Sequence, residues 1–292
     1  MKNPFRSLCA GLALTVVALH APAATCEDPR PLRLALVPLK DPTTQLAQYR
    51  PLIRQLEIAL DRRIETVPAT SYGAVIEGLL AGGIDLAELG PASYAIAMHR
   101  GAHIAPIASF RLRAGPATDS TTSYYPLLIT RRAAGLTSLE GLRGTTLSLT
   151  DPASTSGALL PRKAIQQLTG TPLDSYFQRV TFAGSHDRAI DTVQKGLVDA
   201  AFVSSTSVDE AIRRGRLRME DLHTLWKSNP IPYDPFVHRT QLCPALVVKI
   251  RQVFLGDVSA LQGMFKDLGM TGFVPVSDAQ YREIRALFPS RP

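Results

Sequence analysis

Two stretches of this 292-residue sequence combine residue types that can hold an anion. Asp151-Pro152-Ala153-Ser154-Thr155-Ser156-Gly157 follows an apolar run and opens a helical pattern. A helix start presents amide N–H groups without intrahelical acceptors and carries partial positive charge, which suits a phosphate-like group. One Ser or Thr is enough to cap a helix. Three adjacent hydroxyls leave donors over. Phe182-Ala183-Gly184-Ser185-His186-Asp187 is a second strand-to-helix junction, with Ser185 expected as the cap and His186 as a donor in the first turn. In a parallel sheet both junctions lie at the carboxyl edge, where ligands bind.

Other chemistries find less support. Ser154, His186 and Asp234 are the residue types of a catalytic triad. The serine lacks the Gly-x-Ser-x-Gly elbow, however, and nothing marks Asp234 as the orienter of this histidine. No enzyme is expected. His99 and His103 have metal-like spacing without accompanying carboxylates, so no metal is expected either. Neither a Walker loop nor Gly-x-Gly-x-x-Gly occurs, and no cofactor is expected.

The elements that must carry these junctions follow from periodicity. Strands are expected at 32–37, 64–67 and 84–89, with helices at 45–60 and 74–81 between them. That alternation predicts an open, largely parallel sheet. After a polar loop at 115–123, strands at 125–130, 145–149, 180–183 and 200–203 are interleaved with helices at 159–168 and 186–195. A weak echo, Gly83-Ile-Asp-Leu-Ala87 against Gly196-Leu-Val-Asp-Ala200, fits two similar α/β lobes. Beyond 225 the pattern turns mostly helical (245–254, 258–268, 279–287), and such a tail returns to the first lobe. Residues 24–115 and 225–292 then form one discontinuous lobe and 116–224 the other, joined by crossings near 110–124 and 217–234. Two lobes on two crossings make a hinge, and the cleft between them is the expected ligand site.

Composition narrows the partners. Apolar residues make up 45% and charged residues 20%, which is ordinary globular composition. The net charge is +7 and no Lys/Arg run exceeds two residues, so no nucleic acid is expected, while a small anion is welcome. Lys2 and Arg6 precede an apolar stretch at 8–19 and Ala21-Pro22-Ala23, the pattern of a signal peptide (1–23) cleaved after about Ala23. The stretch is too short to span a bilayer, which needs roughly 20 apolar residues. Cleavage removes Cys9 and leaves Cys26 and Cys243. In an oxidising compartment these pair as one disulfide or stay as two independent thiols, and pairing is the expectation adopted.

These segments resemble the periplasmic phosphonate/phosphite/phosphate-binding proteins of ABC importers. The resemblance runs from about Leu34 to Leu255. It is carried by Tyr72, the run from Asp85-Leu86-Ala87-Glu88 to Tyr94, Tyr124, the Asp151–Gly157 run, Ala183-Gly-Ser-His186, and Leu225-Trp-Lys-Ser228 with Ile231-Pro232. It implies the type II periplasmic-binding fold, a periplasmic location, a monomer and an inner-membrane ABC permease as partner. It also implies that Tyr72, Tyr124, Ser154, Thr155, Ser156 and His186 hold a small phosphorus oxyanion: phosphate, phosphite or a short alkylphosphonate. In phosphonate-specific members two acidic groups hold the ligand's amino end. One matches Asp234. The other falls at Thr206, which cannot pair with an ammonium. Two alternatives stay open, a ligand-sensing partner of a membrane kinase and a 2-aminoethylphosphonate-binding protein.

Overall fold

The structure, a computed structural model, describes residues 26–288; the expected signal peptide lies outside the described residues. In chain order the elements are β1 (Leu32–Leu36), α1 (Pro42–Leu60), β2 (Ile64–Thr66), α2 (Tyr72–Leu80), β3 (Leu86–Glu88), α3 (Pro91–His99) and β4 (Ile104–Leu112). Then come β5 (Ser123–Tyr124), β6 (Pro126–Arg131), β7 (Thr146–Leu149), α4 (Leu160–Thr169), α5 (Leu173–Tyr176) and β8 (Arg179–Phe182). They are followed by α6 (His186–Gln194), β9 (Ala200–Ser204), α7 (Ser205–Arg213), β10 (Leu222–Lys227) and β11 (Ile231–Pro232). The chain finishes with β12 (Pro235–Arg239), α8 (Pro244–Leu255), α9 (Gln262–Leu268), β13 (Met270–Pro275) and α10 (Arg282–Arg285). α1 starts three residues earlier than expected because Asp41 accepts from the Thr44 N–H (2.9 Å) and Pro42 fits the first turn. Pro51 lies inside α1 without ending it. The buried stripe Tyr49, Leu52, Leu56 and Leu60 anchors the helix on both sides of the lost hydrogen bond.

The first lobe is built on a six-stranded sheet in the order β13-β4-β12-β3-β1-β2. β1 pairs in parallel with β2 and β3, whereas β12 and β13 run antiparallel to their neighbours. The sheet is therefore mixed rather than largely parallel, and the tail past 225 supplies two strands as well as helices. Both strands are disguised in the sequence. β12 opens on Pro235, a position where a missing donor is tolerated, and β13 holds Gly272 and Pro275 at the sheet edge.

The second lobe has five strands in the order β10-β6-β9-β7-β8, with β7 parallel to both β8 and β9. β10 extends this sheet past the boundary expected at 224: Trp226 pairs with Leu128 and Lys227 with Leu127. Between the sheets the chain crosses twice, and the crossings pair as a two-stranded ribbon in which Ile231 opposes Tyr124.

Each sheet buries an apolar cluster on both faces. Leu32, Leu34 and Phe236 face one side of the first sheet, and Ala35, Val37 and Val237 the other. Val203 and Ile129 face one side of the second sheet, and Phe202 and Leu128 the other. The internal echo is structural, shifted by one residue. Gly82 and Gly196 end their helices at φ 68°, and Asp85 and Asp199 then accept from the backbone N–H of Arg33 and Thr146 at the start of the adjacent parallel strand (2.9 and 2.8 Å). Cys26 and Cys243 form a disulfide across a sequence separation of 217, tying the start of the described chain to α8. Closing so long a loop stabilises by roughly 5 kcal/mol in the chain-entropy account.

Candidate functional site

β7, β8 and β9 run parallel, so their carboxyl ends open side by side onto the first lobe. After β7, the Asp151 carboxylate accepts from the Ala153 N–H (2.8 Å) and turns the chain into a π turn over Thr155–Leu159. The helix thus begins earlier and wider than expected, a feature that recurs at functional sites. Gly157 makes this turn possible. A Cβ there would lie 1.7 Å from Thr150 Oγ1. Ser154 Oγ accepts from the Gly157 N–H (3.0 Å), so Ser154 is the cap, and the hydroxyls of Thr155 and Ser156 remain. Thr155 Oγ1 accepts from the Ala92 N–H of the first lobe (2.8 Å), which leaves its own O–H to donate.

After β8, His186 Nδ1 accepts from the Ser204 N–H (3.1 Å). That contact settles the tautomer: the proton resides on Nε2, which lies 3.4 Å from Ser156 Oγ and 3.5 Å from Ser154 Oγ. Burial lowers the imidazole pKa to about 3, so the ring is a neutral N–H donor. Ser185 does not cap α6 as expected; its hydroxyl donates to Asp187 Oδ1. After β9 lies a third junction that the sequence reading missed, Ser204-Ser205-Thr206-Ser207. Ser204 Oγ accepts from the Ser207 N–H (3.2 Å) and donates to Ser207 Oγ (2.7 Å). Its signal was present: an apolar run followed at once by hydroxyls, as at 151–157.

The opposite wall comes from the first lobe and the crossings. Tyr72, at the start of α2, donates its N–H to Asp151 Oδ2 across the lobes (3.1 Å), while its buried hydroxyl has no partner among the described residues. Tyr124 and Tyr233 meet edge to face at 5.3 Å. Burial, and then the charge of Asp234, pushes all three phenols well above their ordinary pKa, so they are neutral donors. The Asp234 carboxyl is itself pushed well up by burial and then by Glu88, which favours its neutral, proton-donating form. Glu88 was not singled out from the sequence. It opposes Phe236 in the sheet, so it shares a face with Asp234. Its Oε2 accepts from the Tyr49 hydroxyl (2.6 Å), its Oε1 is buried without a partner among the described residues, and burial raises its pKa to about 7.

These groups enclose one cavity. Tyr72, Tyr124, Ser154, Thr155, His186 and Asp234 line it, and Ser156 sits just behind, against His186. Ser204, Thr206, Ser207 and Tyr233, with Leu39 and Gly90, complete the wall, and among the described residues no Lys or Arg contributes to it. The space measures about 20 Å³. By that measure one water needs roughly 10–15 Å³. The enclosed space is thus of the order of one to two waters, which suits a compact ligand. The lobes are closed over it: besides the Tyr72 and Ala92 contacts, the His186 N–H donates to Leu39 O (3.2 Å) and Ser93 Oγ to Ala153 O (2.9 Å). Farther along the seam, Lys40 of the first lobe pairs with Glu210 of the second.

Comparison with known proteins agrees with this geometry. The family model described as "ABC transporter, phosphonate, periplasmic substrate-binding protein" matches residues 34–281. The phosphate-import protein PhnD of Mycolicibacterium smegmatis is 30% identical, over 94% of this chain and 92% of its own. The phosphonates-binding periplasmic protein of Escherichia coli is 26% identical, over 96% and 83%. Among solved structures, PhnD1 of Prochlorococcus marinus in complex with methylphosphonate superposes with a TM-score of 0.76 at 19% identity, covering 88% of this chain and 96% of that one. No helix among the described residues is long and apolar enough to cross a membrane. The chain belongs to the periplasmic substrate-binding proteins of phosphonate ABC transporters.

Proposed function

We propose that this protein, exported and cleaved after about Ala23, captures a small phosphorus oxyanion as a monomer and hands it to an ABC permease, without transforming it. Phosphate, phosphite and short alkylphosphonates are the ligand class, held by Tyr72, Tyr124, Ser154, Thr155, Ser156, His186 and Asp234. The observation that carries this reading is the small cavity walled by neutral donors from both lobes. An anion leaves water only if its oxygens are fully hydrogen-bonded in exchange. Here the Thr155 hydroxyl, the His186 Nε2–H, the unpartnered Tyr72 hydroxyl and the helix-start amides converge without needing a cation. Asp234 adds a donor when protonated, or an acceptor for a P–OH when ionised. The methylphosphonate of PhnD1 and the phosphate named for the mycobacterial relative both fall in this size class.

Because donors come from both lobes, ligand favours the closed arrangement by its differential affinity, and the lobes rotate about the crossings near Tyr124 and Asp234. Thr206, where an acid would be needed, disfavours an ammonium-bearing ligand. Calorimetry should rank phosphate, phosphite or methylphosphonate above 2-aminoethylphosphonate. Tighter binding of 2-aminoethylphosphonate than of all three would overturn the reading.

A further inference from the structure

Beside the anion cavity lies a second chamber of about 230 Å³, walled by both lobes and the first crossing. Thr206 belongs to the walls of both spaces. Ser204 and Ser205 beside it are buried, whereas Thr206 is half-buried and is the residue common to both walls. The inner wall is apolar, from Leu112, Leu268 and Met270. The outer rim carries Arg113 and Arg213, both exposed. Neither guanidinium has a carboxylate partner among the described residues: Arg213 donates to the backbone O of Asp267 (3.0 Å), and the Asp267 carboxylate is taken by Arg214. Asp209, the acid in this wall, is held against the crossing by one oxygen: its Oδ1 accepts from the Ala117 N–H (2.8 Å), and a Cβ at Gly115 would lie 2.6 Å from its Cγ. Its Oδ2 is buried without a hydrogen-bond partner among the described residues, shielded from the chamber rather than facing it.

Resting on the anion-cavity reading above, we propose that the ligand class extends to phosphonates whose substituent passes Thr206 into this chamber and ends in a carboxylate, met by Arg113 and Arg213. Methylenes of the substituent lie along the Leu112–Leu268–Met270 wall. The terminal anion finds two guanidiniums, whose forked donors match a carboxylate, while an ammonium in the same place meets like charge. Exposure of the rim keeps the discrimination modest.

The test is calorimetry with methylphosphonate, 3-phosphonopropionate and 2-aminoethylphosphonate on the wild type, on an Arg113→Ala/Arg213→Ala variant, and on Ile212→Trp, which fills the chamber from α7. The wild type should bind 3-phosphonopropionate at least tenfold more tightly than 2-aminoethylphosphonate. The arginine variant should lose at least fivefold for 3-phosphonopropionate, and Ile212→Trp should lose more, with methylphosphonate unchanged within twofold in both. Binding of 3-phosphonopropionate that is weaker than that of 2-aminoethylphosphonate, or indifferent to the arginine variant, overturns the inference. Failure of the wild type to bind methylphosphonate overturns the anion-cavity reading itself, and this extension with it.

Discussion

The second lobe meets the cavity with three helix starts and with hydroxyls and an imidazole that are neutral and already oriented by their own backbone. The first lobe meets it with Tyr72 and, at the second crossing, with the buried carboxyl of Asp234, while a second buried acid, Glu88, shares the sheet face behind that wall. The first kind of wall is inexpensive to bury, because neutral donors lose little on leaving water when they are capped internally. The second is expensive, because a carboxylate must be desolvated or protonated. In the reading proposed above, the second lobe supplies most of the groups that hold an oxyanion, and Asp234 on the opposite wall weighs its charge.

The largest expected effect probes the neutral wall. The native pKa of His186, about 3, lies below its ordinary 6.5, so the unfolded chain binds more protons between those values. Its contribution is fully present above pH 6.5 and is lost as pH falls toward 3, up to about 5 kcal/mol. Urea unfolding at pH 7 and pH 4.5 should show the wild type losing about 3 kcal/mol more than His186→Gln. Equal losses would mean that the second lobe's wall is not held neutral by burial.

The acidic wall has the opposite sign. Glu88 is raised from 4.5 to about 7, so the folded chain holds the extra proton; stability is full below pH 4.5 and declines as pH rises through 7, by about 3 kcal/mol. Glu88→Gln keeps an acceptor for Tyr49 and has no proton to lose. It should therefore be more stable than the wild type at pH 8.5. A less stable variant there would break the contrast between the walls.

Smaller effects concern binding. Thr155→Ala removes a hydroxyl that stands between the lobes and should weaken every oxyanion by about 1.5–3 kcal/mol, leaving their order intact. Asp234→Ala should change each affinity less but reorder the ligands. Calorimetry over one ligand panel separates the two patterns, and a reordering caused by Thr155→Ala would reverse the assignment of holding and discrimination.

The hydroxyl wall was legible in the sequence, and the acidic one only in part: Asp234 was matched through the family resemblance, whereas Glu88 was not. Ser154–Ser156 and His186 stand at junctions where an apolar run gives way to hydroxyls, a local pattern that fixes both strand end and helix start. Ser204–Ser207 carried the same signal and went unread. Glu88 had no local signal, because a single acid in Leu86-Ala87-Glu88-Leu89 reads as a solvent-facing side chain until β12 pairs beside it. β12 itself was hidden by Pro235 and by the helical pattern of its surroundings. The seam partners Lys40 and Glu210 lie 170 residues apart, beyond the reach of any periodicity.

The β5–β11 ribbon carries Tyr124, and Asp234 follows it directly. Atoms near a pivot move least when lobes swing, so with the hinge proposed above, contacts to Tyr124 and Asp234 would be nearly the same in open and closed arrangements. They add affinity to both and shift neither. Ala92 with Thr155 and Tyr72 with Asp151 join the two lobes in this structure, so on the hinge reading proposed above a ligand that bridges these pairs would supply the bias. A molecule satisfying the ribbon alone would occupy the protein silently: bound, yet leaving it in the shape of the empty receptor and presenting nothing new to a permease.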